Sequence, residues 1–381
     1  MRHERFAFKG NSILLQGLDY SHFLYDSCAS TQDPIYRRAI VRFLYILKVL
    51  KMTDYDVVGI GNALVDVIVN IEDSFLEDTG MPKGSMNLVD LDQSDMIYAK
   101  LSSGREVSGG SAGNTMAGIA ALGGKGAYIG KVRDDQFGKV FRHDIRSIGV
   151  DFETPDSTDG INTGKCLVMV HPDAERTMAT FLGAANSLTP ADVNPATIQA
   201  AKVVYMEGYL FDPEDAKAAF VKAAEAAHAG PTGTKVSLSL SDPFCVGRHR
   251  EAFVHLVEHH IDILFANEEE IMSLYETDDF DAAVADVRGH CEIACLTRGA
   301  KGSVIVTADD VISVPAVPVE KVIDTTGAGD QYAAGFLYGY TQGWDLETAG
   351  CAGSIMAGEI ISHYGARPEA DVKALIQETL G

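Results

Sequence analysis

The seven residues Asp324-Thr325-Thr326-Gly327-Ala328-Gly329-Asp330 combine types and spacing that could do chemistry. Gly327 and Gly329 permit a tight turn and leave backbone N–H groups bare. The apolar run Tyr332-Ala333-Ala334-Gly335-Phe336-Leu337 follows almost directly and reads as a helix. A turn opening a helix presents unpaired N–H donors and the positive dipole end to an anion such as a phosphate. Asp330 puts a negative charge at the same place. On the residues alone two readings of it stand open: a helix N-cap, or a base that touches the hydroxyl attacking the phosphate.

The elements around this stretch point to an α/β fold. Short β-branched runs (Val57–Ile60, Val203–Met206, Val236–Leu240, Ile261–Phe265, Ile293–Thr297) alternate with helical stretches (Glu214–His228, His249–His259, Glu268–Tyr275, Asp281–Gly289). Such alternation implies a mostly parallel sheet covered on both faces. Segments within 66–108 and 161–184 break the rhythm. In the second, Lys165–Val170 and Arg176–Leu182 flank His171-Pro172-Asp173 as a hairpin. A small sheet beside an α/β body suggests a lid. Residues 1–51 differ in charge, with 8 Lys/Arg against 4 Asp/Glu, and a strand starts soon after Met52. They are expected to form a poorly ordered N-terminal extension to a domain spanning 52–381.

The 381 residues carry a net charge of −23, which argues against nucleic acid or an anionic membrane as partner. No apolar run reaches membrane-spanning length. The six cysteines (28, 166, 245, 291, 295 and 351) form no Cys-x-x-Cys and no zinc spacing. They read as free thiols, so a reducing, cytoplasmic compartment is expected. Two other glycine clusters compete for a phosphate. Gly59-x-Gly61-x-x-Leu64 lacks the third glycine of a dinucleotide fingerprint, and Gly118-x-x-x-x-Gly123-Gly124-Lys125 has its lysine one residue late for a P-loop.

Four stretches then combine. Ser108-Gly109-Gly110-Ser111-Ala112-Gly113-Asn114, Asn267-Glu268-Glu269-Glu270, Thr297-Arg298-Gly299-Ala300-Lys301-Gly302 and Asp324–Asp330 occur in this order. They resemble the signatures of the ribokinase-like (PfkB) small-molecule kinases. With Gly61-Asn62-x-x-x-Asp66, Leu240–Phe244 and Ile261–Asn267, the resemblance leans to the adenosine kinase branch. It covers the chain from about Met52 onward.

The resemblance implies a three-layer α/β/α fold with a small β-sheet lid. It implies ATP-dependent phosphoryl transfer to a primary hydroxyl, the 5′-hydroxyl if the acceptor is adenosine. Asp330 would be the general base, the N–H groups of Gly327, Ala328 and Gly329 the anion cradle, and Arg176 a lid arginine over the phosphates. Asp66 would accept the vicinal ribose hydroxyls, with Asn62, Gly109, Gly110 and Asn114 completing the acceptor side. Asn267, Thr297, Gly299 and Gly302 would serve the nucleotide, and Glu270 would hold Mg²⁺ through water. Each has a plainer alternative: Asn267–Glu270 as a helix start, the glycines as turns, Arg176 as an exposed hairpin charge. Tyr209, Leu210 and Phe211 are candidates for the base or for the core. ATP and Mg²⁺ are the expected cofactors, with a monovalent cation left open, and the state is monomer or homodimer. A sugar kinase of the same family and a catalytically silent nucleotide-binding regulator are the competing functions.

Overall fold

The computed structural model describes residues 53–173 and 175–381. The expectation for residues 1–51 lies outside them. In chain order the strands are β1 (Tyr55–Ile60), β2 (Leu64–Asn70), β3 (Met86–Leu88), β4 (Arg105–Gly109), β5 (Gly126–Ile129), β6 (Val150–Phe152) and β7 (Thr163–Val170). They continue with β8 (Arg176–Gly183), β9 (Ala201–Glu207), β10 (Lys235–Ser239), β11 (Ile263–Asn267), β12 (Ile293–Thr297), β13 (Ser303–Val306) and β14 (Val311–Val314). Nine of them form one sheet in the order β14-β13-β12-β11-β10-β9-β1-β5-β6. It is parallel from β6 to β12 and antiparallel at β13 and β14.

Side-chain alternation divides the apolar residues of each strand between two core layers. Val57, Val203 and Tyr205 face the helices Ser111–Ala121, Gln136–Ser147, Ala328–Thr341 and Leu346–Ile360. Val58, Val204 and Met206 face Glu214–Ala229, Pro243–His259 and Glu268–Leu274. Both faces are therefore dry, as parallel sheets require, and the architecture is the expected α/β/α. From β1 the chain runs outward to β5 and β6, then returns to β9 on the other side of β1. The reversal makes the carboxyl ends of β1 and β9 the place where such sheets open a cleft.

The five remaining strands form the small sheet, in the order β3-β8-β7-β2-β4. Its strands begin at Leu64 and reach Gly109, slightly beyond the expected 66–108. One face (Val65, Val67, Val69, Leu167, Met169, Ala179) joins the first core layer, while Cys166, Val168, Ile68 and Met178 cluster on the other. The helix expected from His249 starts at Pro243 instead, capped by Asp242 Oδ1, which accepts from Cys245 N–H at 2.6 Å. Proline fits the first helical turn, where its missing N–H costs nothing. His249 marks a bend inside that helix (φ −127°, ψ 22°) rather than its start. The helix Leu91–Lys100, β3, β6 and β14 were not anticipated, being short or weakly patterned.

The helices Ala328–Thr341 and Leu346–Ile360 meet through small residues. A Cβ added to Gly335 would lie 2.5 Å from the Ala352 carbonyl oxygen. Gly335→Ala is therefore expected to cost about 1–3 kcal/mol through overpacking, read as a lower urea midpoint at constant m-value. An unchanged midpoint would contradict this close approach.

Candidate active site

Most other helices begin on a side-chain cap: Asp135 accepts from Gly138 N–H, Asp345 from Thr348 N–H, Asp371 from Ala374 N–H, with Glu214–Ala229, entered from Pro213, an exception. The helices Ser111–Ala121 and Ala328–Thr341 begin instead on Gly110 (φ 87°) and Gly327 (φ 78°), with no side-chain cap. At Gly110 a side chain is impossible, since a Cβ would sit 2.1 Å from the Asn62 carbonyl oxygen. The residues at both starts line one cavity of about 850 Å³ between the main sheet and the small one.

Asp330 does not cap its own helix. Its Oδ1 accepts from Ser111 Oγ (2.6 Å) and its Oδ2 from Asn114 Nδ2 (3.1 Å), both on the other helix. Gln331 Nε2 ties the same two helices by donating to the Asn114 and Ala366 carbonyl oxygens, each at 2.9 Å. Burial pushes the Asp330 carboxyl up to about 6, against the pull of its Ser111 and Asn114 bonds. Ala328 N–H bonds the Thr325 carbonyl at 3.2 Å. The amides of the next residues belong to the first turn and have no acceptor within the helix.

Asn62 and Glu207 stand at the carboxyl ends of β1 and β9. Glu207 accepts from Asn62 Nδ2 (2.8 Å), Asn62 N–H (3.3 Å) and Ala112 N–H (2.8 Å), so it caps the Ser111–Ala121 helix from a distant strand. Burial raises its carboxyl to about 7, although those bonds oppose the shift. Asn62 Oδ1 is buried without a partner among the described residues, and Asn62 lines the cavity. Asp66, on β2, lines it too. Gly109 leaves room for the Asp66 carboxylate, which a Cβ there would approach to 2.3 Å. Burial pushes Asp66 up to about 6, with Arg367 and then Arg176 pulling down and Asp330 pushing up.

Arg176 is not an exposed hairpin charge. Its side chain is 7% exposed, its Nη1 lies 3.0 Å from Asp324 Oδ2, and its guanidinium sits 5.6 Å from the centre of the Tyr364 ring. Asp324 also accepts from Thr326 N–H (3.0 Å) and Gly365 N–H (3.2 Å), so this pair fastens the small sheet to the glycine-rich turn.

Across the cavity, Asn267 and Glu270 form a capping box. Asn267 Oδ1 accepts from Glu270 N–H (2.8 Å), and the Glu270 carboxylate accepts from Asn267 N–H (2.9 Å) and Nδ2 (2.6 Å). Burial raises Glu270 to about 7. Both residues and Thr297 line the cavity. Gly299 and Gly302 do not appear in its wall. They open and close a short turn, and Gly302 (φ 87°) is required because a Cβ would strike the Val314 carbonyl oxygen. Tyr209 faces the cavity, whereas Leu210 and Phe211 are buried in the core.

The sequence profile of the pfkB family carbohydrate kinases matches residues 84–373. The chain belongs to the pfkB family. A solved adenosine kinase from Sinorhizobium meliloti is 46% identical, with a TM-score of 0.78 over 85% of this chain and 99% of its own. A probable sugar kinase from Rhizobium etli is 44% identical, with a TM-score of 0.79 over 86% and 99%. The adenosine kinase of Saccharomyces cerevisiae is 28% identical across 81% of this chain and 95% of its own. This pfkB protein is thus a kinase that transfers phosphate from ATP to a hydroxyl of a nucleoside or sugar. Among the described residues no helix is long and apolar enough to cross a membrane.

Three residues of this pfkB site escaped the sequence reading. Ser111 stood inside a motif without being singled out. Glu207 carries a usable signal, an acid ending the buried run Val203–Met206 just before a glycine. Arg367 gives no local signal.

Four cavity carboxyls with raised pKa values make the fold bind protons more tightly than the unfolded chain does. Their stabilising contribution is complete below about pH 4 and is lost as pH rises through about 6 for Asp66 and Asp330 and about 7 for Glu207 and Glu270. A base at Asp330 must be ionised, so turnover should fall below about pH 6. Acidifying from pH 8 to 5.5 should raise Tm while lowering kcat/KM. Parallel loss of both would contradict these assignments.

Proposed function

We propose that this kinase phosphorylates the 5′-hydroxyl of adenosine, giving AMP and ADP. The observation that carries the reading is the apolar face that the small sheet turns to the cavity. Ile68, Val168 and Met178 line it, with Met86, Leu88 and the 80% exposed Phe244 at its rim. A bare sugar would leave this surface wet, whereas a purine would cover it, at about 25 cal/mol per Å² buried. Asp66, emerging from the same face, supplies the one polar contact that two vicinal ribose hydroxyls require, because a carboxylate can accept both. The adenosine kinase relatives support the same acceptor.

In this reading Asp330 takes the hydroxyl proton as the oxygen attacks the γ-phosphorus. Ser111 and Asn114 aim its carboxylate. The amides of Gly327 and Gly329 and the dipole behind them stabilise charge on the transferred group, while the Ala328 amide is engaged by the Thr325 carbonyl. Arg176, released from Asp324, would reach the phosphates. Asn62, held by Glu207, offers its unpartnered Oδ1 to the acceptor. The donor set on the nucleotide side fits Mg²⁺ held through its waters. Glu270 lines the cavity, each of its oxygens accepts a single bond from Asn267, and it would hold the ion's waters rather than the ion. When bound, the ion would neutralise phosphate charge.

ADP release should be measured with adenosine, other nucleosides, ribose and fructose. Adenosine is expected to give the highest kcat/KM, and preferential turnover of a sugar would reject the acceptor assignment. Asp330→Asn should lower kcat by about 10²–10⁴-fold with ATP binding retained; near-normal turnover would reject the base. Asp66→Ala should raise the acceptor KM by about 10–100-fold, the loss of a charged hydrogen bond, and leave that for ATP nearly unchanged. Equal effects on both would place Asp66 outside the acceptor side.

A further inference from the structure

The segment Tyr364–Arg367, beyond the Leu346–Ile360 helix, touches the site at four points. Tyr364 lies against the Arg176 guanidinium, Gly365 N–H bonds Asp324, and the Ala366 carbonyl accepts from Gln331. Arg367 reaches the acceptor side. Its Nη1 donates to Asp144 Oδ2 (2.8 Å), and its Nη2 donates to the Ser108 carbonyl oxygen and to Ser108 Oγ. Asp144 Oδ2 in turn accepts from Ser108 N–H (2.8 Å) and Ser108 Oγ (2.7 Å). The backbone N–H, carbonyl and hydroxyl of Ser108 are therefore all held by one Arg–Asp pair.

Ser108 occupies a decisive place. It pairs with Val65 in the β2–β4 ladder, beside Asp66, and it precedes Gly109 and Gly110. Any shift of Ser108 moves Gly109, against which the Asp66 carboxylate rests, and Gly110, which starts the helix carrying Ser111 and Asn114. A tilt of that turn would misplace both the ribose contact and the bonds that aim Asp330.

We infer that Arg367 is a positioning residue for the acceptor side: its fork clamps Ser108, and through Ser108 it holds the turn that seats Asp66, Ser111 and Asn114. The inference rests on the reading of Asp66 as the acceptor's contact. The charged and titratable groups facing Asp66 are Arg367 from the C-terminal segment, Arg176 from β8, Asp330 from its helix and the Cys166 thiol opposite on β7. Arg367 is the strongest cationic influence among them, and Arg176 is already paired with Asp324. A purely structural strut would predict something else: loss of Arg367 would loosen the whole cavity and weaken both substrates alike.

The test uses full-length wild-type, Arg367→Met and Arg367→Lys enzymes, with KM for adenosine and for ATP and kcat/KM measured from pH 5.5 to 8.5. Arg367→Met should raise the adenosine KM by about 10-fold or more and keep the ATP KM within about two-fold. The acid limb of kcat/KM for adenosine should also move to higher pH, as Asp66 loses a cationic neighbour. Arg367→Lys should return the limb towards wild type yet leave the adenosine KM raised, because an ammonium restores charge but not the planar fork. Both KM values rising together with an unmoved limb, or unchanged kinetics, would overturn the inference. If Arg367→Met does not fold, the lysine variant decides: a raised adenosine KM with an unchanged ATP KM supports the clamp, and an unchanged adenosine KM overturns it. Wild-type enzyme inactive on every acceptor would overturn the functional reading and this inference with it. Wild-type turnover with an unaltered Arg367→Met variant would overturn this inference alone.

Discussion

The Asp330 carboxylate, shared between Ser111 and Asn114, joins two helix starts that would otherwise have reason to separate. Each start carries bare amides and the positive end of a dipole, and neither has a side-chain cap of its own. Two such ends facing one cavity need negative charge between them. Asp330 supplies it from one helix, and Glu207 supplies it from β9 through the Ala112 amide. These carboxylates remain uncomfortable, as their raised pKa values record. Discomfort of this kind is the cost of a site built to receive a ligand rather than to satisfy itself.

The rest of the fold serves that junction. The strand-order reversal at β1 and β9 opens the cleft and delivers Asn62 and Glu207 to its floor. The close helix pair around Gly335 and Ala352 gives the Asp330 helix a rigid back. The small sheet supplies an apolar wall with one carboxylate, Asp66, emerging from it. The Arg176–Asp324 pair then couples that wall to the turn preceding Asp330, so the proposed acceptor and phosphate sides share one mechanical link.

Much of this was legible in the residues, for identifiable reasons. Positive φ at Gly110 and Gly327 and the crowding beside Gly109 demand glycine, so those positions stand out as punctuation. The β–α alternation announces the parallel sheet because buried strands are continuously apolar. The Asp330 N-cap alternative could not be dismissed that way, because the decisive partners lie 219 and 216 residues earlier. Arg367 was hidden for the same reason, its partner Ser108 lying 259 residues away, and the acid at Glu207, though marked by its place after a buried run, gains its role only through Ala112, 95 residues away. The helix expected from His249 begins six residues earlier at Pro243, because the Asp242 cap and the bend at His249 lie in the structure rather than in the apolar pattern. The burial of Arg176 depends on Asp324 and Tyr364, which no hairpin pattern reveals.

In the proposed reaction Asp330 faces the reacting hydroxyl from within the amide cradle. A crystal structure of the enzyme with adenosine and a non-hydrolysable ATP analogue tests it most directly. The 5′-oxygen is expected within hydrogen-bond reach of the Asp330 carboxylate, about 2.6–3.2 Å, in line with the γ-phosphate over the Gly327 and Gly329 amides. Adenosine seated with that oxygen on another side chain, and Asp330 still engaged only with Ser111 and Asn114, would contradict it.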